Sequence, residues 1–237
     1  MPPDEDTPYC QARGSLPLER LQEIHDGLCA EAHQGLAAKD LWCGHNVLAV
    51  DGSSVTAPDM PANQAAFPQQ SVQKPGCGFP IIRLVALLSL ATGMLTAWAT
   101  GPWSTHEVGL LQTLWDCLRP GDVLLADRGF CNWALLAQCL QRNVHAVFRV
   151  KGIRRSDFRR GKRLSRNERL VQWRKPWTPA KTVTALEWAL LPEVLTLRLV
   201  RCQMNIPGFR TRQVMLVTTL LDSDKYPPEA LARLYFR

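Results

Sequence analysis

Four apolar residues, Val47 to Val50, run without interruption into Asp51, Gly52, Ser53 and Ser54. A continuous apolar run of that length, closed by turn residues, predicts a buried strand. Asp122 to Phe130 repeats the grammar: Val123-Leu124-Leu125-Ala126 leads into Asp127-Arg128-Gly129. Each strand delivers an aspartate to a turn, where desolvating it is costly unless it is paired or faces a cation. Around these two units, Phe79–Leu90 and Leu95–Thr100 predict an antiparallel hairpin joined through Ala91-Thr92-Gly93-Met94 and added to the Asp51 strand. Val144–Val150, Glu187–Leu199 and Arg212–Leu220 read as further strands.

Helical spacing of apolar residues predicts one helix or two over Leu16–Ala38, with Leu18, Leu21, Ile24, Leu28 and Leu36 on the apolar face. Ser104 with Glu107 three residues on has the form of a capping box for a helix through Val108, Leu111, Leu114, Trp115 and Leu118, stopped by Pro120-Gly121. Helices follow over about Trp133–Arg142 and after Pro227-Pro228, where Glu229 sits in a favourable first turn. Residues 1–14, with three prolines and three acids, read as disordered. Gly52–Gly78, with four prolines, reads as a long irregular stretch, functional or mobile. Strand, helix, strand, helix, strand from 95 to 150 is an α/β pattern with parallel pairing in one sheet.

Composition adds limits. The 237 residues, 46% hydrophobic and 21% charged, suit one large or two modest globular domains. The longest apolar stretch, Ile81–Thr92, is interrupted by Arg83 and is too short to span a bilayer. The acidic start, Met1 to Asp6, is no secretory signal, so the cytoplasm is expected. None of the eight cysteines forms a Cys-x-x-Cys pair; Cys43 and His45 are a weak zinc signal, and buried reduced thiols are the expected state.

Charge changes the picture. Between Arg149 and Lys181 thirteen Lys or Arg face two acids, whereas the whole chain is +7. A basic block on a mildly acidic body points to a polyanion. Its pairs Arg154-Arg155, Arg159-Arg160 and Lys162-Arg163, with Phe158, Trp173 and Trp177 nearby, suit phosphate contact and base stacking.

Four stretches carry a resemblance: Leu48–Ser54 with Pro58–Asn63, Gly78–Leu87, Leu124–Phe130, and Arg149-Val150-Lys151. Their order and spacing resemble the DDE transposases of bacterial insertion sequences, in the family numbered four. The resemblance implies an RNase H-like core, a mixed sheet flanked by helices, with catalytic aspartates on its first and fourth strands; Asp51 and Asp127 hold those positions. It implies a β-rich basic insertion before a final catalytic helix. The expected division is 1–45 as an N-terminal helical remnant and 46–151 as the first part of the core. Residues 152–220 would then be the insertion and return strand, and 221–237 the start of the last helix.

Two Mg²⁺ or Mn²⁺ ions are implied as cofactors, and double-stranded DNA with terminal inverted repeats as partner. A homodimer on paired ends is implied as well, with no membrane involved. Arg128, Lys151, Arg154, Arg155, Arg159, Arg160, Lys162, Arg163 and Tyr235 are the expected DNA-binding residues. Gly129 serves the turn, Asp59 reads as a loop residue, and His106 and Glu107 read as helix-capping rather than active-site support.

The family's last helix has the pattern Tyr-x-x-Arg-x-x-x-Glu-x-x-x-x-x-x-Lys. Tyr235 matches its tyrosine, and the third carboxylate would fall beyond Arg237. The expectation is therefore a truncated and impaired transposase. The alternatives are a non-catalytic DNA-binding form that inhibits the intact enzyme, a product of an interrupted gene, and an unrelated RNase H-like nuclease.

Overall fold

A computed structural model describes residues 8–74, 76–150, 158–203 and 213–236. Nine strands share one sheet: β1 (Val47–Thr56), β2 (Ile81–Ser89), β3 (Leu95–Pro102), β4 (Val123–Ala126), β5 (His145–Arg149), β6 (Lys162–Ser165), β7 (Glu168–Arg174), β8 (Val194–Gln203) and β9 (Gln213–Thr218). Their spatial order is β3-β2-β1-β4-β5-β9-β8-β7-β6. The centre, β1-β4-β5, is parallel. The β2–β3 hairpin adds antiparallel on one side, as expected, and β9 to β6 form an antiparallel run on the other.

The central strands are apolar over Val47–Val50, Val123–Ala126 and Ala146–Phe148, where both faces are covered. Leu48, Val50, Leu124, Ala126 and Phe148 pack on one side with α4 (Glu107–Gln112) and α5 (Trp133–Gln141). Val47, Val123, Leu125 and Val147 pack on the other with Leu231 and Leu234 of α7 (Pro228–Tyr235). Asn132 caps α5, its side-chain oxygen accepting from the Leu135 amide at 2.8 Å.

Several expectations are corrected. Pro8–Gly14 is a helix, α1, although residues 1–14 read as disordered; residues 1–7 lie outside the described segments. Helix α2 (Leu18–Gln34) forms where expected but does not bury the expected face. Leu18, Leu21, Ile24 and Leu28 are exposed, and the helix docks through His25 and Cys29. His25 Nε2–H donates to the Leu95 carbonyl at 2.6 Å, and its ring meets Trp98 edge-on at 4.9 Å.

Strand β1 does not stop at Asp51. It continues to Thr56 because β2 offers a full ladder, Asp51↔Ala86 through Thr56↔Ile81, which outweighs the turn preference of Gly52, Ser53 and Ser54. The stretch up to Gly78 also holds a helix, α3 (Pro61–Ala66). Two side-chain amides brace it: Gln64 donates to Asp59 and to the Gly78 carbonyl, and Gln69 accepts from the Gly76 and Gly78 amides. Asp59 is thus a loop residue. Ala185–Leu190 is a helix, α6, rather than a strand, started by a capping box in which Thr184 and Glu187 exchange hydrogen bonds of 3.2 and 2.8 Å.

At the opposite end of the parallel strands, His45 Nδ1–H donates to the Gly121 carbonyl and Nε2 shares a hydrogen bond with the Tyr226 hydroxyl, both at 2.7 Å. The His45 ring meets His145 edge-on at 5.0 Å. Burial first, then the charges of His45 and Lys225, hold His145 below its ordinary value of 6.5. A depressed histidine resists protonation in the folded state only. Its stabilising contribution is therefore complete above pH 6.5 and is lost as pH falls through the folded value. His25 is raised, chiefly by Asp26, and acts in the opposite sense at higher pH. Urea unfolding at pH 7.5 and 5.5 is expected to show a smaller acid loss in His145→Asn than in the wild type; equal losses would refute the assignment.

Candidate active site

The parallel register pairs Val50 with Ala126, and the next residues on the two strands are Asp51 and Asp127. Parallel neighbours lie roughly 4.8 Å apart, so the aspartates stand side by side where the β1–β4 pairing ends, Asp51 within β1 and Asp127 just past the end of β4. Strand alternation puts both on the face of Ala49 and Leu125, the face that α7 covers. Both are exposed.

Each aspartate is oriented by a neighbouring backbone amide. Gly52 N–H donates to Asp51 Oδ1 at 2.9 Å, and Gly129 N–H to Asp127 Oδ1 at 2.6 Å. A Cβ on residue 129 would lie 2.8 Å from that same oxygen, so glycine is needed for the Asp127 carboxylate to stay where it is. The turn role expected of Gly129 is thus a steric one.

The last turn of α7 brings Tyr235 to this end of the sheet. Burial pushes its phenol up, and the Asp127 charge adds to the rise; Arg149, which hydrogen-bonds the phenol, and Arg128 act against it. Tyr235 thus lies within electrostatic reach of Arg149, Arg128 and Asp127. Arg128 is exposed in the turn that follows Asp127.

The other expected DNA contacts lie farther along the sheet. Lys162 and Arg163 are exposed on β6, the edge strand, and Arg159 and Arg160 are exposed just before it. Lys151, Arg154 and Arg155 lie outside the described residues. Of the three aromatics near the block, Phe158 and Trp173 pack against the core cluster, with Arg201 over the Phe158 ring at 4.2 Å. Trp177 is fully exposed. A cavity of about 860 Å³ opens between Trp133, Trp173, Arg160, Lys162 and Arg174.

The predicted capping box at Ser104 is absent. Helix α4 begins at Glu107, its N-cap residue is His106, and no side chain caps it. The Glu107 side chain instead crosses to Gly52, beside Asp51. The helix ends at Gln112 rather than Leu118, followed by a single 3₁₀ turn at Trp115–Cys117.

Asp51 and Asp127 offer hard carboxylate oxygens in an open setting, which suits Mg²⁺ or Mn²⁺ holding several waters. Among the described residues no three His, Cys, Asp or Glu side chains converge closely enough to cage an ion. His45 is consumed by its two hydrogen bonds and cannot join Cys43 as a ligand.

Arg198 and Glu168 went unnoticed in the sequence. Arg198, 0% exposed, donates from Nε at 2.8 Å and from Nη2 to Glu168 Oε1. Its Nη1 donates to the carbonyls of Leu220, Asp222 and Tyr226, the segment that leads into α7. An arginine between Leu197 and Leu199, with Val200 following, was the available signal.

Comparison with known proteins gives three findings. A family model described as "Transposase DDE domain" matches residues 42–237. The transposase InsG for insertion sequence element IS4, from Escherichia coli strain K12, is 25% identical over 95% of this chain and 48% of its own length. The putative transposase InsZ from the same strain is 28% identical over 44% of this chain and 35% of its own. This chain thus spans half or less of the curated relatives it matches. Among solved structures, a piggyBac transposase synaptic complex with hairpin DNA is similar at a TM-score of 0.41 and 12% identity, over 74% of this chain and 33% of that one. Among the described residues no helix is long and apolar enough to cross a membrane.

Proposed function

The chain belongs to the transposase DDE-domain family, as an IS4-type member, and from that premise we propose that it carries the two-aspartate part of a metal-dependent DNA strand-cleavage and transfer centre. The observation that carries this reading is the register: Val50↔Ala126 is the last parallel pair, and it sets Asp51 and Asp127 side by side where the β1–β4 pairing ends. The strand order β3-β2-β1-β4-β5, antiparallel then parallel, supports an RNase H-like core over 46–151. Residues 152–220 read as the insertion, whose strands extend the same sheet, and α7 as the start of the last catalytic helix.

Two divalent ions held by Asp51 and Asp127 would supply charge neutralisation at the phosphodiester and activation of water and then of a 3′-hydroxyl. The chain's own residues do the rest. The Gly52 and Gly129 amides fix the carboxylates, and Arg128 and Arg149 present positive charge to a phosphate beside them. The basic segment about β6 would follow the backbone of double-stranded DNA carrying the terminal inverted repeats, with a homodimer pairing two ends.

The test uses the chain extended by the family's Arg-x-x-x-Glu segment and DNA carrying the cognate ends. Cleavage is expected with Mg²⁺ or Mn²⁺ and is lost in EDTA. Cleavage that persists in EDTA, or none under any divalent ion, would overturn the reading. The unextended chain serves as the second arm, and its failure to cut would show that the added segment supplies a group the chemistry needs.

A further inference from the structure

Glu107 opens α4, and its carboxylate lies against the backbone of Gly52. A Cβ built on residue 52 would sit 2.6 Å from Glu107 Cδ and 2.8 Å from Oε1, so only glycine leaves room for this side chain. Among the described residues no hydrogen bond or ion pair engages the Glu107 carboxylate. Partly burying an unpaired carboxylate is unfavourable, and an apolar side chain would fill the same space without that cost. Helix capping does not account for its direction, because it points across to β1 rather than back to the turn at Ser104.

Consecutive Cα atoms are 3.8 Å apart, so Glu107 touches the chain one residue from Asp51, from the other face of the strand. Only the thickness of β1 then separates its charge from that of Asp51, a spacing comparable to the roughly 8 Å over which salt leaves electrostatic interactions effective. We propose that Glu107 is a positioning residue of the aspartate pair: it props β1 at Gly52 and strengthens the hold of Asp51 and Asp127 on a divalent cation by adding negative charge behind them. This rests on the reading of the aspartates as the cation site. It makes Gly52 part of the device, since any side chain there would expel Glu107.

The experiment is a titration of the chain with Mn²⁺ alone, followed by the loss of the free-ion EPR signal, with thermal melts in the absence of metal as control. Glu107→Gln is expected to weaken Mn²⁺ binding roughly tenfold, the lower end of what an outer-layer partner of a metal site contributes. Its metal-free melt is expected to match the wild type. Gly52→Ala, which keeps the charge but displaces it, is expected to weaken binding too, and the double variant no more than either single. Should Glu107→Gln fold poorly, Gly52→Ala carries the test alone. If Glu107→Gln and Gly52→Ala bind Mn²⁺ as the wild type does while Asp51→Asn does not, the inference fails and the cation site stands. If Asp51→Asn also binds normally, the reading of the aspartates fails, and this inference with it.

Discussion

Arg198→Ala is expected to destabilise the fold by about 3–5 kcal/mol, the usual result of leaving one member of a buried ion pair without its partner. The Glu168 side chain is 5% exposed and would be left buried with no guanidinium near it. The carbonyls of Leu220, Asp222 and Tyr226 would lose their donor as well. Because those carbonyls lie on the approach to α7, the loss is expected to concentrate at the C-terminal end. Limited proteolysis should open the 220–236 segment before the parallel centre, and the urea midpoint should drop in step.

The paired substitution Arg198→Met with Glu168→Leu separates charge from hydrogen bonding. Replacing both ions by apolar groups of similar size removes the desolvation penalty, and such swaps are often neutral. Here the three carbonyls would still be orphaned, so the double variant should retain a loss of about 1–3 kcal/mol. A single Arg198→Ala variant within 1 kcal/mol of the wild type would show that water enters this site and that the pair is not a structural clamp.

The parts of the fold readable from sequence are those whose side chains answer to one constraint. Strand β4, the first half of β1 and the middle of β5 are buried on both faces, so an unbroken apolar run specifies them; the turn residues after Ala126 mark where β4 ends, and those after Arg142 where β5 begins. The β2–β3 hairpin was legible for the same reason. What failed was decided by partners distant in sequence. The extension of β1 through Gly52, Ser53 and Ser54 depends on Arg83 to Ala86, some thirty residues on. The helix α6 carried a capping box at Thr184 and Glu187, but its Ala-Leu-Glu-Trp-Ala-Leu run merged with the apolar residues of β8. Amphipathic spacing in α2 predicted a helix correctly and its buried face incorrectly, because the docking contact is polar, made by His25 and Cys29 on the Leu95 carbonyl.

The candidate site divides in the same way. Asp51 and Asp127 stand out because each ends an apolar run, and the register now places them on neighbouring strands. Glu107 offered a false local explanation: its spacing from Ser104 fits a capping box, while its contact with Gly52 arises only when α4 folds over β1. The dense charge of residues 149–181 concealed Glu168 as an incidental acid, although it is the buried partner of Arg198.

Asp51→Ala and Asp127→Ala, each in the chain extended by the family's Arg-x-x-x-Glu segment, are expected to lower the cleavage rate by about a thousandfold or more. Lost metal-dependent charge stabilisation of several kcal/mol, at 1.36 kcal/mol per decade, sets that scale. The double variant should be little worse than either single, because residues that act as one unit do not lose activity additively. Stability should change little in each, since both carboxylates are exposed and neither packs in the core. Affinity for DNA in the absence of metal should hold or rise, as a negative charge facing phosphate has gone.

Asp127→Cys is the sharper variant. A thiolate is soft and accepts Mn²⁺ more readily than Mg²⁺, so activity recovered with Mn²⁺ and not with Mg²⁺ would place a cation directly on residue 127. Because the Gly129 amide aims the carboxylate, Gly129→Ala should reproduce part of the loss while leaving both acids present. Alanine variants that cut at the wild-type rate would remove both aspartates from the chemistry.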